Sequence, residues 1–104
     1  MRVVHYLNQF FGGLGGEDKA GAPLEVREGA VGPGLLLEQL LGKDAKVVVT
    51  LVCGDNYAVE KQEAMISLAL EKMREAKPDL FIAGPCFQGG RYGMAAGALC
   101  SAVQ

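Results

Sequence analysis

Apolar positions along the chain gather into short, almost unbroken runs, Val3-Val4-His5-Tyr6-Leu7, Lys46 to Val52 and Asp79 to Ala83, each ended by Gly, Asn or Asp. Continuous runs of that length predict strands buried on both faces, as in a parallel sheet. Between the runs the period changes. Pro33 and Gly34 open a predicted helix over Leu35 to Leu41, and Gly42 is placed to stop it. From about Tyr57 to Lys77, residues Ile66, Ala69, Leu70 and Met73 recur at i, i+3, i+4 and i+7, the apolar stripe of a helix. Asp55 or Asn56 can cap its first turn with a side-chain oxygen, and Pro78 closes it. Small residues from Tyr92 to Gln104, among them Gly93, Ala95, Ala96, Gly97 and Ala98, predict a last helix able to approach a sheet closely.

Strands alternating with helices imply right-handed crossovers and a sheet covered on both faces. The expected fold is therefore α/β: a three-layer, Rossmann-like (flavodoxin-like) parallel sheet, with residues 1–104 forming one unit. Three strands are few for such a sheet, and the pattern reaches Gln104 in mid-helix. The expectation is an N-terminal part of a larger domain, or a unit completed by another chain. The connection from Asn8 to Gly32, with glycines at 12, 13, 15, 16, 21 and 29, shows no element. A loop that long in a small domain is usually functional or mobile, and Phe11 to Gly32 is expected to close over a ligand. The turns at 8–17, 53–57 and 84–93 follow the carboxyl ends of the strands, so in a parallel sheet they share one rim, where ligands bind.

Composition narrows the classes. The chain has 104 residues, half of them apolar, and a net charge of −2, so it is neither disordered nor strongly basic. No apolar run approaches the roughly 20 residues of a membrane span, and Met1-Arg2 leads straight into a strand rather than a secretory signal. The few Lys and Arg are scattered, which argues against nucleic acid. Cys53, Cys86 and Cys100 are odd in number and far apart, without a CxxC or Cys/His pattern. Reduced thiols, a cytoplasmic location and no bound metal are expected.

Several residues at the rim could carry chemistry, and each also has a plainer reading. Gly12-Gly13-Leu14-Gly15-Gly16 could cradle a phosphate, but no Gly-Lys-Ser/Thr closes it, and glycines supplying positive φ explain it as well. Arg91, between Gly90 and Tyr92 and just before a predicted helix, could hold a carboxylate or phosphate, or form an ordinary surface ion pair. Cys86, after Gly84-Pro85, could be a thiol activated by the helix start, or a small buried residue; Cys53 and Cys100 read as packing. Asp55 and Asn56 could bind a polar ligand or simply cap. Glu17, with Asp18 and Lys19, could act when the loop closes or be solvated surface. His5, inside an apolar strand, reads as a satisfied core imidazole.

Long blocks of the chain, Met1 through Glu17, Cys53-Gly54-Asp55-Asn56-Tyr57, Phe81 through Pro85 and Gly90-Arg91-Tyr92-Gly93, resemble the start of the selenoprotein B subunit of the glycine/sarcosine/betaine reductase family, to which the D-proline reductase selenoprotein is related. The resemblance implies an oxidoreductase of anaerobic amino-acid metabolism that reductively cleaves a C–N bond within a multi-subunit complex. It implies a selenocysteine that lies outside this stretch and attacks the substrate α-carbon, with transfer of the group to a second selenoprotein for reduction. It further implies, in many members, a pyruvoyl group on a partner subunit; no cofactor is expected on this chain. Cys86 stands where the family is expected to carry a small residue, so no redox role passes to it. The residues expected to reach a small amine or carboxylate substrate are Asn8, Glu17, Asp55, Asn56 and Arg91, on loops shaped by Gly12, Gly13, Gly15, Gly16, Gly84 and Gly90. Alone, the chain is expected to show no turnover. Expected partners are other reductase subunits, with pairing to further copies of itself left open. A small-ligand or phosphate-binding module and a subunit-assembly domain are the alternatives.

Overall fold

A computed structural model describes residues 1–84 together with Ala96, Leu99 and Cys100. The elements run β1 (Arg2–Asn8), a 3-10 turn (Glu17–Lys19), β2 (Glu25–Glu28), α1 (Pro33–Leu41), β3 (Lys46–Cys53), α2 (Asp55–Glu60), α3 (Gln62–Ala76) and β4 (Leu80–Ala83). The strands form one sheet in the order β2-β3-β1-β4. β1 pairs in parallel with β3 and with β4, and β2 pairs antiparallel with β3.

The three apolar runs are the parallel strands, and the fold is α/β with a Rossmann-like core. Alternation along β1 and β3 splits the core into two layers. Val4, Tyr6, Leu51 and Cys53 face α2 and α3, where they meet Ala58, Met65, Ala69 and Met73; Ala96 and Leu99 join the same cluster. Val3 and Val47 face the other way, against Ala45 and the half-buried Leu37 and Leu41 of α1. The crossovers β1–α1–β3 and β3–α3–β4 run in opposite directions across the sheet. A right-handed path for both puts their helices on opposite faces, as found. α1 begins with Pro33 in its first turn and stops at Gly42, whose φ is 87°. Gly34 lets α1 come close to β1, since a methyl group there would lie 3.0 Å from Nδ1 of His5.

Three expectations need correction. The connection from Asn8 to Gly32 is not without elements: it holds the 3-10 turn and a fourth strand, so the sheet is mixed at that edge. Glu25-Val26-Arg27-Glu28 has one apolar residue and no buried one, so a solvated edge strand leaves no period-2 signal. The helix drawn from Tyr57 to Lys77 is two helices that meet at Lys61 (φ −119°, ψ 41°). The hydrogen-bond ladder continues through the bend, from the Lys61 amide to Tyr57 O and from the Met65 amide to Lys61 O. The fully buried stripe of α3 is Met65, Ala69, Met73 and Ala76, with Ile66 and Leu70 half-buried at its margin. The capping expectation also fails, as the site geometry makes plain. The last predicted helix falls outside the described residues, apart from Ala96, Leu99 and Cys100, which are helical.

Candidate functional site

Parallel register carries the strand ends to one level. Asn8 lies opposite Cys53, and Ala83 lies opposite Tyr6, so the turns after β1 and β3 and the start of the turn at Gly84 leave the sheet at the same rim. Gly84 is bound there: its amide donates to Tyr6 O at 3.1 Å, and its carbonyl meets His5 Nε2 at 2.5 Å. Arg91, Gly90 and Cys86 lie outside the described residues.

At the rim a small polar cluster sits below the surface. Asn8, Gln9 and Asp55 are 7 %, 2 % and 6 % exposed. Asn8 Nδ2 donates to Asp55 Oδ2 at 3.1 Å, while Asn8 Oδ1 accepts the Phe11 amide at 3.0 Å. Gln9 Oε1 accepts the Asp55 amide at 2.9 Å, and the Gln9 carbonyl accepts those of Leu14 and Gly15. Asp55 Oδ1 is buried and has no hydrogen-bond partner among the described residues. A buried carboxylate oxygen without a donor is costly, so a donor from a water, an ion, a ligand or another part of the protein stabilises it.

Neither Asp55 nor Asn56 caps α2 with its side chain. The cap position is Gly54, and the carbonyl of Ala20 does the work instead: it accepts the amides of Asn56 at 2.7 Å and Tyr57 at 3.0 Å. The Gly54 amide donates to Ala22 O at 2.9 Å. Segment 20–22 thus crosses so near the start of α2 that a side chain at Gly54 would press on Ala20 O and lie 2.6 Å from the Ala22 nitrogen. Asp55 is freed from capping and turned toward Asn8. Asn56 is half-buried beside it, and Glu17 begins the 3-10 turn that leads into this crossing.

The glycine-rich stretch is folded upon itself. The amides of Gly12, Gly13, Leu14 and Gly15 donate to Asn8 O, Phe10 O and Gln9 O, and that of Gly16 to Asp18 Oδ1. Every amide of the would-be phosphate cradle is therefore engaged, as are those of Asp55, Asn56 and Tyr57 at the start of α2. Gly13 and Gly15 take positive φ, 81° and 148°, whereas Gly12 is required by space, with a methyl group there 2.9 Å from Val52 Cγ2.

Two titratable groups lie close by. Burial, reinforced by the charge of Asp55, pushes the Cys53 thiol up to about 12, so it is neither a nucleophile nor a thiolate ligand at neutral pH. Burial also pushes the His5 imidazole below its usual value, against the smaller opposing effect of its bond to Gly84 O. His5 is only partly the satisfied imidazole expected, because Nδ1 has no partner among the described residues. No group of three or more His, Cys, Asp or Glu among the described residues is placed to hold a metal, and no helix among them is long and apolar enough to cross a membrane. Of the residues proposed from sequence, Asn8, Asp55 and Asn56 come together. Gln9 and the Ala20 carbonyl escaped notice; a glutamine in a turn and a backbone oxygen carry no pattern that would single them out.

Comparison of the sequence with known proteins identifies relatives. A sequence profile described as glycine/sarcosine/betaine reductase selenoprotein B matches residues 1–104. The chain is 51 % identical over its whole length to the sarcosine reductase complex component B subunit beta of Peptoclostridium acidaminophilum, covering 24 % of that protein. It is 52 % identical over 99 % of its length to the glycine reductase complex component B subunit gamma of Symbiobacterium thermophilum, covering 24 % of it. It is 41 % identical over 99 % of its length to the betaine reductase complex component B subunit beta of P. acidaminophilum, covering 23 % of it. The chain thus spans about a quarter of the length of these relatives. No solved structure matches it.

Proposed function

The chain belongs to the glycine/sarcosine/betaine reductase selenoprotein B family, and on that premise we propose that it is the amino-terminal part of a reductase component B subunit whose strand-end rim forms one wall of the substrate pocket. The observation that carries the reading is Asp55: a carboxylate buried at the rim, one oxygen held by Asn8 and the other without a donor among the described residues. Glycine, sarcosine and betaine, the compounds in the relatives' names, share a cationic nitrogen on a carboxymethyl group. A buried carboxylate attracts such a cation strongly because little water screens the pair.

Asp55 Oδ1 then faces the substrate nitrogen, as a hydrogen-bond acceptor for glycine or sarcosine and by charge alone for betaine, which has no N–H. Asn8 orients the carboxylate, and Gln9 fixes the turn of main chain that carries it. Asn56, half-buried beside Asp55, belongs to the same site, and Glu17 and Arg91, read from the sequence, reach the substrate, Arg91 pairing with its carboxylate. This division of labour binds and orients; the selenocysteine and the pyruvoyl group of the complex supply the bond-breaking chemistry from outside this stretch. The raised Cys53 thiol supports leaving redox chemistry to those groups. Alone, the chain binds no substrate productively and turns nothing over. A phosphate-binding reading has less support, since the amides it would use are already engaged.

The test is Asp55→Asn in the complete, reconstituted reductase. The amide keeps the shape and the contact with Asn8 but removes the charge. The KM for the amine substrate should rise at least about tenfold, some 1.4 kcal/mol of binding, with the thermal midpoint little changed. An unaltered KM with the same stability would remove Asp55 from the pocket.

A further inference from the structure

We infer that the outer edge of β4 is an internal seam, which in full-length family members is covered by a parallel strand from the part of the polypeptide beyond this stretch. The inference rests on family membership and sheet geometry, and it is independent of the substrate reading.

The two edges of the sheet are built differently. β2, Glu25-Val26-Arg27-Glu28, carries charges at all but one position, the usual protection of a strand that stays exposed. β4, Leu80-Phe81-Ile82-Ala83, has no charge, proline or bulge, yet its outer side is unpaired among the described residues. The Gly84 amide donates to Tyr6 O while Ala83 lies opposite Tyr6, so by alternation the amides of Leu80 and Ile82 face β1 and those of Phe81 and Ala83 point away from it. An apolar strand with a bare row of amides is an aggregation hazard unless something pairs with it.

Both faces of β4 are also underfilled, whereas parallel strands are normally buried on both sides. Leu80 is 39 % exposed, and the rest of the strand is half-buried. On the α1 side a cavity of about 270 Å³ is bordered by Pro33, Leu37 and Ile82. On the α3 side one of about 360 Å³ is bordered by Leu70, Met73 and Phe81. A largely apolar hollow on one side of the edge strand, and on the other one whose apolar floor is rimmed by Arg74 and Asp79, are what a further strand and the helices over it would fill.

Handedness gives the direction. The crossover from β3 through α3 to β4 advances outward over one face of the sheet. Ala96 and Leu99, which follow β4, pack in the same cluster as α3, on that same face. A right-handed crossover that leaves β4 over this face must advance the same way, past β4 rather than back toward β1. The relatives supply the occupant, since the matched region is only 23–24 % of their length.

Residue-resolved amide exchange tests the inference in the full-length glycine reductase component B subunit gamma of S. thermophilum and in this 104-residue chain. In the full-length protein, amides aligned with Phe81 and Ala83 should exchange within about tenfold of those aligned with β1, and about a hundredfold slower than those of β2. In the short chain they should exchange as fast as β2. Fast exchange at these positions in the full-length protein overturns the inference. Protection that disappears on dilution overturns it too, because a second copy would then be the occupant. Slow exchange in the dilute short chain also overturns it, because the edge would already be closed.

Discussion

Replacing Gly54 with alanine tests the link between the long connection and the site. The residue's own backbone, φ −69° and ψ 141°, suits any amino acid, so conformational strain is not the issue. The obstacle is room: the new methyl group would meet the backbone of Ala20 and Ala22, which cannot swing aside as a side chain can. Segment 20–22 must lift, and three hydrogen bonds go with it, from the Gly54 amide to Ala22 O and from the Asn56 and Tyr57 amides to Ala20 O. At a net 0.5–1.5 kcal/mol each, their loss costs roughly 2–4 kcal/mol. The reduced freedom of the unfolded chain returns about 0.4–1 kcal/mol. The expected net destabilisation is about 1–3 kcal/mol, which in a domain of this size lowers the thermal midpoint by roughly 5–20 °C. Circular dichroism through heat and urea measures it, with Gly21→Ala as the control. Gly21 has nothing within 4 Å of its virtual methyl and no positive φ, so that change should be neutral or stabilise by about 0.4–1 kcal/mol. If Gly54→Ala and Gly21→Ala behave alike, segment 20–22 does not cross the start of α2 and the capping account is wrong.

Other outcomes follow from single contacts. Gly12→Ala should cost about 1–3 kcal/mol by pressing on Val52, and in a Val52→Ala background its cost should shrink by about 1 kcal/mol; strict additivity in urea denaturation would remove the contact. With Cys86→Ser and Cys100→Ser, the remaining Cys53 should alkylate about a hundredfold more slowly in the folded protein than in urea at about pH 8; equal rates would contradict its burial and raised pKa. The depressed imidazole of His5 means the unfolded chain takes up a proton below about 6.5 while the folded chain resists it. Stability should therefore fall as pH drops through that value, and His5→Gln should flatten the slope; parallel profiles would show that His5 stays free to ionise.

Much of the architecture was legible because it obeys local rules. A strand buried on both faces needs consecutive apolar residues, so Val3 to Leu7, Lys46 to Val52 and Asp79 to Ala83 announced β1, β3 and β4. Pro33 and Gly42 marked the ends of α1 through the geometry that each ring or missing side chain permits. The rim was legible too, since parallel strands of similar length must end together. Asn8 and Asp55 could be chosen as polar residues at strand ends, but not as hydrogen-bonded partners 47 positions apart.

What stayed hidden depends on groups distant in sequence or on backbone atoms. β2 exists because β3 offers an edge to pair with, and its charged residues give no signal of their own. The bend at Lys61 and the choice of Met65 and Ala76 over Ile66 and Leu70 as the fully buried positions answer to packing against the sheet, which no helical period encodes. Asp55 looked like a helix cap because that is what an aspartate does at such a position in isolation. The carbonyl of Ala20, delivered by the folded connection, took that task and left the carboxylate buried with one oxygen unmatched among the described residues. Sequence alone determined the three parallel strands, the ends of α1 and the polar turns that follow β1 and β3, because those follow from the periodicity and chain geometry of near neighbours. Only the tertiary structure decided which polar groups are satisfied and which are left over, because a hydrogen bond depends on distance and direction between atoms that the fold alone brings together.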